Sequence, residues 1–446
     1  MAGNSQNKHF ISEVYFETYG CTANLNSSEI MKGLVKQAGL EITNNIEIAD
    51  LIIINSCIVK GSTQEKIRRR VSDLLKKGKR VVLTGCMPRL NKKKFLKKEN
   101  LFLLDTKRAT DIIRLIQDIV NGNCNSSCDK YLKPNDEIKA ALPKISSEKQ
   151  IGITQISEGC LGDCTYCVVR LAKGKLFSYP KEKILKSIKR DVEAGCNEIW
   201  ITSQDNAAYG NDISNKDGKK KYLLPELLEN ILKIKGRFFV RLGMMNPNNV
   251  LKILPELIEL YKNPKMFKFL HIPIQSGSNK ILKEMNRKYK IKDVLKIIKE
   301  FKREIPEIVI STDIIVGYPG ETQEDFLKTL NVVSKIKPEI LNRSNFSSRS
   351  GTPAADLKPI KPRIMKKRSN QLMKLHLQIC KELQKPWIGK EIKVLVDKKG
   401  FENTWLARTS SYKLVAVHSK ENLLGKRINV KVKGSSPHYL LAETIK

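Results

Sequence analysis

The chain lacks any apolar stretch of the roughly 18–20 residues that a membrane-spanning helix needs. Its first residues, Met1 to His9, are polar where a secretory signal would place an apolar core. No hydrophobic tail closes the sequence at Lys446. On these absences the expectation is a soluble, cytoplasmic protein without a membrane partner. Acidic residues are the next shortage: Asp and Glu number 46 against 82 Lys and Arg, a formal net charge of +36. Part of this excess reads as a lysine-rich proteome bias. Its size still favours a polyanionic partner, with nucleic acid ahead of an acidic membrane surface, because no basic amphipathic anchor helix stands out. A hydrophobic content of 41% excludes wholesale disorder, and 446 residues exceed one ordinary core, so two or three domains are expected.

Ten cysteines are present, scattered through a chain with no secretory signal, which favours metal ligation or burial over disulfides. The most informative are Cys160, Cys164 and Cys167, in the stretch Gly159-Cys-Leu-Gly-Asp-Cys-Thr-Tyr-Cys-Val168. One short loop thus offers three thiolates, enough for three corners of a cubane iron–sulfur cluster. The fourth iron is left open, where a small molecule can chelate. A zinc knuckle would pair two CxxC units or add histidines, and no His lies near this loop in sequence.

Three regions follow one another. The first alternates strands and helices: strands at Glu13–Glu17, Asp50–Asn55 and Arg80–Thr84, and helices at Ser28–Gly39, Thr63–Lys77 and Asp111–Val120. The continuous β-branched run at Asp50–Asn55 marks a strand buried on both faces, and the alternation implies a small parallel sheet covered by helices. Cys21, Cys57 and Cys86 each stand at the carboxyl end of a predicted strand. Ligand sites in open parallel sheets form at such ends, so the three are expected to converge, favouring a second three-cysteine cluster over three packing cysteines. Residues 121–149 read as a linker; Cys124 and Cys128 there receive no role, and Cys196 and Cys380 read as packing residues.

The second region repeats a strand–loop–helix rhythm. Strands are predicted at Ile151–Ser157, Glu198–Thr202, Arg237–Leu242, Lys268–Ile274, Ile308–Val316 and Ile340–Phe346, with helices between them. Six β/α units describe a partial parallel barrel whose working residues sit on the loops after the strands. The Cys160 loop follows the first strand. The third region has five short alternating strands, at Lys390–Val396, Thr404–Arg408, Lys413–Val417, Arg427–Val432 and Tyr439–Ala442, implying a small antiparallel β-barrel. Small basic barrels hold single-stranded nucleic acid on charge and exposed aromatics. Trp405 and Tyr412 are candidates for stacking, with core packing the readier explanation of each. Two acid-free basic runs, Met87–Lys98 and Lys358–Lys374, are solvated faces or parts of a nucleic-acid cradle.

The Cys160/Cys164/Cys167 triad after the first strand of a six-unit β/α barrel resembles the radical S-adenosylmethionine (SAM) enzymes. With the Cys21/Cys57/Cys86 set in front and a small barrel behind, the chain from about residue 11 onward is similar to a methylthiotransferase. The carrying motifs are Glu17-Thr-Tyr-Gly-Cys-Thr-Ala-Asn24, Asn55-Ser-Cys57, Gly85-Cys-Met87, Gly317-Tyr-Pro-Gly-Glu321 and Gly351-Thr-Pro-Ala354. The closing barrel is similar to the RNA-binding TRAM module. Lys173-Gly-Lys-Leu-Phe-Ser-Tyr-Pro180 and Ser203-Gln-Asp-Asn-Ala-Ala-Tyr-Gly210 resemble the archaeal and eukaryotic branch, which acts on N6-threonylcarbamoyladenosine at tRNA position 37. Ser27 and Ser350 depart from the Asp and Pro common at those places in the family.

The resemblance implies three domains, at residues 11–121, 146–376 and 379–446. It implies two [4Fe–4S] clusters, on Cys160, Cys164 and Cys167 and on Cys21, Cys57 and Cys86, with SAM as cosubstrate and tRNA as partner. Strand-end residues are expected to bind SAM: Ser203, Gln204 and Asp205 its amino group, Gln275 and Ser276 its ribose, and Gly317 to Gly320 its adenine. Other readings of the same residues are methylthiolation of isopentenyl-adenosine 37 or of a ribosomal protein, a SAM-dependent methyltransferase, and a non-catalytic iron–sulfur RNA-binding protein. No motif specifies an electron donor or an oligomeric state.

Overall fold

The computed structural model describes residues 10–95, 98–124, 129–213 and 221–445. Cys128, and Leu96 and Lys97 of the basic run Met87–Lys98, lie outside the described residues. Two units separate: residues up to 147 with 168–179, and residues 148–167 with 180 onward. No helix of the described residues is long and apolar enough to cross a membrane.

The first unit is a five-stranded parallel sheet of β1 (Glu13–Thr18), β2 (Glu41–Thr43), β3 (Leu51–Ser56), β4 (Arg80–Gly85) and β5 (Leu101–Leu103), in the order β2-β1-β3-β4-β5. The short β2 and β5 had no sequence signal. β3 shows why its run is apolar throughout. Ile52 and Ile54 pack with Ile67, Val71 and Leu74 of α2 (Gly61–Lys76). Leu51 and Ile53 face the other way, against Met31 and Val35 of α1 (Thr22–Gln37) and Leu115 and Ile116 of α3 (Ile112–Val120). Each of these four strand residues is fully buried, contributing about 1.5–3 kcal/mol.

α1 begins six residues before the predicted Ser28, and Cys21 stands at its N-cap. The segment read as a linker is bound to this unit rather than loose. Ile145 N–H donates to the Glu29 carbonyl (2.9 Å) and Ser147 N–H to its carboxylate (2.8 Å). Glu137 accepts from Ala109 N–H at 2.7 Å. Cys124 is buried in the α1/α3 core.

In the second unit, β6 (Ile151–Gln155), β7 (Glu198–Thr202) and β8 (Phe239–Leu242) form one parallel sheet in the order β8-β7-β6. β9 (Phe269–His271), β10 (Val309–Val316) and β11 (Ile340–Asn345) form another, in that order. A parallel bridge from Val240 to Met266 joins them into one six-stranded arc, the partial barrel expected. Helices α4 (Lys181–Glu193), α5 (Leu224–Leu232), α6 (Leu254–Lys262), α7 (Ile291–Glu304) and α8 (Gln323–Ile336) follow the successive strands, and α9 (Pro362–Gln384) leads on from β11.

The closing barrel is β12 (Glu391–Lys399), β13 (Thr404–Arg408), β14 (Leu414–His418), β15 (Arg427–Ser435) and β16 (Leu440–Thr444), closed in the order β12-β13-β14-β16-β15. Four of its pairings are antiparallel, and β14 with β16 is parallel. Five strands cannot alternate in direction all the way round a closed ring, so one parallel pair is required. Trp405 and Tyr412 are both buried. Tyr412 lies 4.9 Å from the Phe267 ring and 4.3 Å from the Arg408 guanidinium, so both aromatics pack the core instead of presenting a stacking surface. Cys196 and Cys380 are buried, as expected of packing residues.

Candidate metal centres and active site

The order of the first sheet places its topological switch between β1 and β3, where connections leave in opposite directions and a crevice opens at the strand ends. Cys21 follows β1 and Cys57 follows β3 at that crevice, and Cys86 follows the adjoining β4. Register carries the last two side by side: Ser56 pairs with Gly85, so Cys57 and Cys86 follow paired residues on strands spaced about 4.8 Å apart. Cys86 N–H donates to the Ser56 carbonyl at 2.9 Å.

Asn24, from the first turn of α1, ties the three strand ends together. Its Nδ2 donates to the Tyr19 and Ser56 carbonyls, both at 2.9 Å. Its Oδ1 lies 4.0 Å from the sulfurs of both Cys21 and Cys86. Asn55 Nδ2 donates to the Asn24 carbonyl (2.8 Å) and to Ser28 Oγ (3.0 Å). Gly20 closes the crevice, because a Cβ there would stand 2.7 Å from Cys57 Cβ and 3.0 Å from its sulfur. Its φ of +106° is also one that side-chain-bearing residues avoid. Cys57 and Cys86 are buried and Cys21 is exposed, so the site opens to solvent at Cys21. Alongside, a cleft of about 940 Å³ is lined by Tyr15, Tyr19, Lys66, Arg69 and Arg70. Arg70 is held by Glu17 at 2.6 Å and Arg69 lies 3.5 Å from Glu65, so its charges are largely balanced.

In the second unit the Cys160 loop runs between strand-end loops. Gly162 N–H donates to Cys160 Sγ (3.2 Å) and Cys167 N–H to the Cys164 carbonyl (3.0 Å), folding the three thiols into one turn. Gln204 Oε1 accepts from Gly159 N–H at 2.7 Å. Thr165 N–H donates to the Met285 carbonyl (3.2 Å), and Thr165 Oγ1 lies 2.8 Å from the Tyr318 hydroxyl. The loops after β6, β7, β9 and β10 are thereby knitted around the cysteines. Burial, with Asp205 adding repulsion, pushes the Cys160 thiol up to about 12. Its thiolate therefore needs a cation such as iron beside it.

The other predicted residues are all at strand ends. Ser203 Oγ accepts from Asp205 N–H (3.2 Å). The buried Asp205 carboxylate accepts from Asn246 N–H (2.9 Å) and Asn249 Nδ2 (2.7 Å), and burial raises its pKa. Gln275 has φ +69° and bonds through its backbone to β10, and Ser276 is fully buried. Gly317 faces Met365 of α9, and Gly320 lies beside Glu284.

Arg287 had no sequence signal. Its Nη1 donates to Cys164 Sγ at 3.3 Å, and its guanidinium lies 4.8 Å from the Tyr289 ring. A fixed cation at the thiols suits both an anionic cluster and a carboxylate ligand.

Among the described residues no three His, Cys, Asp or Glu side chains are gathered tightly enough to share one ion. A cubane asks for something else, one thiolate for each of three irons. Both cysteine sets supply three thiols and no His, a donor set that fits iron–sulfur ligation better than single-ion zinc.

The radical SAM superfamily matches residues 154–333, the uncharacterized protein family UPF0004 residues 13–104, and the TRAM domain residues 387–445. The probable threonylcarbamoyladenosine tRNA methylthiotransferase of Pyrococcus horikoshii is 39% identical, over 97% of this chain and 99% of its own. That of Archaeoglobus fulgidus is 40% identical, over 96% and 98%. The threonylcarbamoyladenosine tRNA methylthiotransferase of Homo sapiens is 32% identical, over 98% of this chain and 74% of its own. The chain belongs to the threonylcarbamoyladenosine tRNA methylthiotransferase family.

As a member of that family it is a radical SAM enzyme, with a [4Fe–4S] cluster and SAM as cofactors. The fold agrees. The radical S-adenosylmethionine methyltransferase TsrM of Kitasatospora setae superposes with a TM-score of 0.54 at 13% identity, over 78% of this chain and 77% of that one. The S-adenosylmethionine radical enzyme OxsB gives 0.51 at 11%, over 82% and 55%.

Proposed function

We propose that the chain transfers a methylthio group to C2 of N6-threonylcarbamoyladenosine at position 37 of tRNA. Cys160, Cys164 and Cys167 hold the radical SAM cluster. Cys21, Cys57 and Cys86 hold a second [4Fe–4S] cluster, which would carry the sulfur to be transferred. The observation that carries this reading is the gathering of two separate three-thiol sets, each at the carboxyl ends of a parallel sheet. When bound, the radical SAM cluster supplies the electron that cleaves SAM to a 5′-deoxyadenosyl radical, the species able to take hydrogen from an unactivated aromatic carbon.

The chain's own residues position and shield. Ser203, Gln204 and Asp205 serve the SAM amino group, Gln275 and Ser276 the ribose, and Gly317 and Gly320 the adenine. Their support is their place on the strand-end loops after β7, β9 and β10. Gln204 also bonds Gly159 N–H, which ties the loop that receives SAM to the loop that carries the thiols. Arg287 keeps a positive charge at Cys164. The domains are taken as residues 11–121, 146–376 and 379–446, with the TRAM barrel contributing to tRNA binding. A tRNA substrate fits a cytoplasmic location.

The test is anaerobic reconstitution with iron and sulfide, followed by incubation with SAM, a reductant and tRNA carrying the threonylcarbamoyl nucleoside. Mass spectrometry should find a gain of about 46 Da (net SCH2) on that nucleoside, together with 5′-deoxyadenosine. Consumption of SAM without 5′-deoxyadenosine, or the gain on a different nucleoside, would sink the proposal.

A further inference from the structure

We propose that Lys358, Lys361, Arg363, Lys366 and Lys367, leading into and opening α9, form a cationic ridge that holds the phosphodiester backbone of RNA at the strand-end rim of the radical SAM sheet. The inference rests on the reading of the chain as a tRNA-modifying enzyme, and assigns it an RNA contact outside the closing barrel.

All five side chains are exposed, and none forms an ion pair with a described residue. No acid occurs between Asp356 and Glu382. Some cations elsewhere are neutralised: in α7, Arg303 is paired with Glu300 at 2.7 Å and Glu304 at 3.0 Å. The first turn of α9 carries no acid, although cations at a helix start oppose the helix dipole. Helix stability therefore does not account for them, whereas a polyanion would.

The opposite face of the same turns fixes where the ridge stands. Arg368 Nη1 donates to the Glu321 carboxylate (2.8 Å) and to the Glu321 carbonyl (3.0 Å), a pair with side chains 6% and 1% exposed. Glu321 in turn accepts from Gly317 N–H at 3.1 Å. Met365 fills the space at Gly317, where an added Cβ would stand 2.8 Å away. Met365 and Arg368 thus grip the loop that follows β10, while Arg363, Lys366 and Lys367 are exposed at helical spacing. Loops after the strands of such a sheet carry its chemistry, so the cations stand at the mouth of the working end.

Phosphate contacts release counterions, so each one adds about 0.7–0.9 to the slope of log K against log[salt]. Affinity of the full-length, cluster-loaded protein for tRNA should be measured across salt for the wild type and for the triple variant R363Q/K366Q/K367Q. The slope should flatten by about 2–3 in the variant. The same triple change on the exposed face of α7, K292Q/K296Q/K299Q, should leave the slope within about 0.5 of wild type. Thermal melts and cluster absorbance verify that the α9 variant is folded and loaded. Equal slopes for the wild type and the folded α9 variant overturn the ridge while leaving the proposed function standing. So does an α9 variant that loses binding to phosphatidylserine vesicles but keeps the wild-type tRNA slope, since the cations would then serve a membrane. A wild-type protein that fails to bind tRNA at all sinks the proposed function instead.

Discussion

Cys160, Cys164 and Cys167 come from eight consecutive residues, whereas Cys21, Cys57 and Cys86 come from the ends of three different strands. In the loop site the thiol positions follow from local hydrogen bonds, such as Gly162 N–H to Cys160 Sγ. In the sheet site they follow from strand register, and no cysteine can be placed until β1, β3 and β4 have paired. Loop sites are set by spacing along the chain and sheet sites by spacing across it. The loop site should therefore tolerate small backbone changes that the sheet site, packed from both sides, does not.

The largest effect should come from removing one thiol from each site in turn. Cys164→Ala is expected to abolish 5′-deoxyadenosine release and, with it, all methylthio product. Cys57→Ala should keep 5′-deoxyadenosine release and lose only the methylthio product. Each variant should retain about four fewer iron atoms per chain after reconstitution. Iron analysis and product mass spectrometry read both outcomes, and two variants with the same profile would erase the division of labour between the sites.

Two glycines offer a sharper contrast. Gly20→Ala forces a Cβ to 2.7 Å from Cys57 Cβ at a φ of +106°. Strain of this kind costs about 1–3 kcal/mol, and iron retention in the first unit should fall with stability. Gly162→Ala places its Cβ 3.4 Å from Cys160 Sγ and 3.7 Å from Cys164 Sγ, ordinary contacts. It should melt within a degree or so of wild type and bind a full complement of iron. If Gly162→Ala proves the more damaging, the loop is the stiffer site and the comparison is reversed.

A smaller effect belongs to the amides. Asn24→Ala leaves the Tyr19 carbonyl without its donor in a buried site, at a cost of about 1–3 kcal/mol. Gln204→Ala removes one acceptor from Gly159 N–H at the partly exposed loop and should cost about 1 kcal/mol. Denaturant unfolding of the two variants gives the ratio directly.

How much of this was legible in the sequence follows the same division. The CxxxCxxC loop is a one-dimensional signal and needed no fold to be read. The sheet site was legible only because each cysteine stands at the end of a segment that reads as a strand, those before Cys57 and Cys86 strongly apolar, so topology could be inferred from the pattern. The short strands β2 and β5, three residues each, carry too little pattern to register. The start of α1 was missed because Asn24, Asn26, Ser27 and Ser28 look like turn residues. They are polar yet buried, and Asn24 and Ser28 bond the neighbouring strand ends. The packing of residues 137–147 had one overlooked mark, Gly33 in the middle of α1. A Cβ there would stand 2.5 Å from the Pro143 carbonyl. Arg287 acts through tertiary placement alone, and nothing in its sequence neighbourhood sets it apart from the other surface cations.

The smallest effect expected concerns pH. Neutral amides and hydroxyls frame the sheet site, but the second unit buries carboxyls. Burial, with the neighbouring Asp397 charge, pushes Glu198 up to about 8. Burial likewise raises Asp205 and Glu321. An acid whose folded pKa lies above its unfolded value binds its proton more tightly when folded, so its stabilisation is complete below the unfolded value, near 4.3 for Glu. That stabilisation is lost as pH rises toward about 8 in the case of Glu198. The second unit should therefore melt a few degrees lower at pH 8 than at pH 5.5. Glu198→Gln keeps an acceptor for Trp200 Nε1, which bonds Glu198 at 2.9 Å, and cannot ionise. It should remove part of the slope and raise the melting temperature most at the alkaline end. Differential scanning calorimetry across pH decides the matter, and a second unit that becomes more stable with rising pH would show that Glu198 is ionised in the fold and held by Arg408 instead.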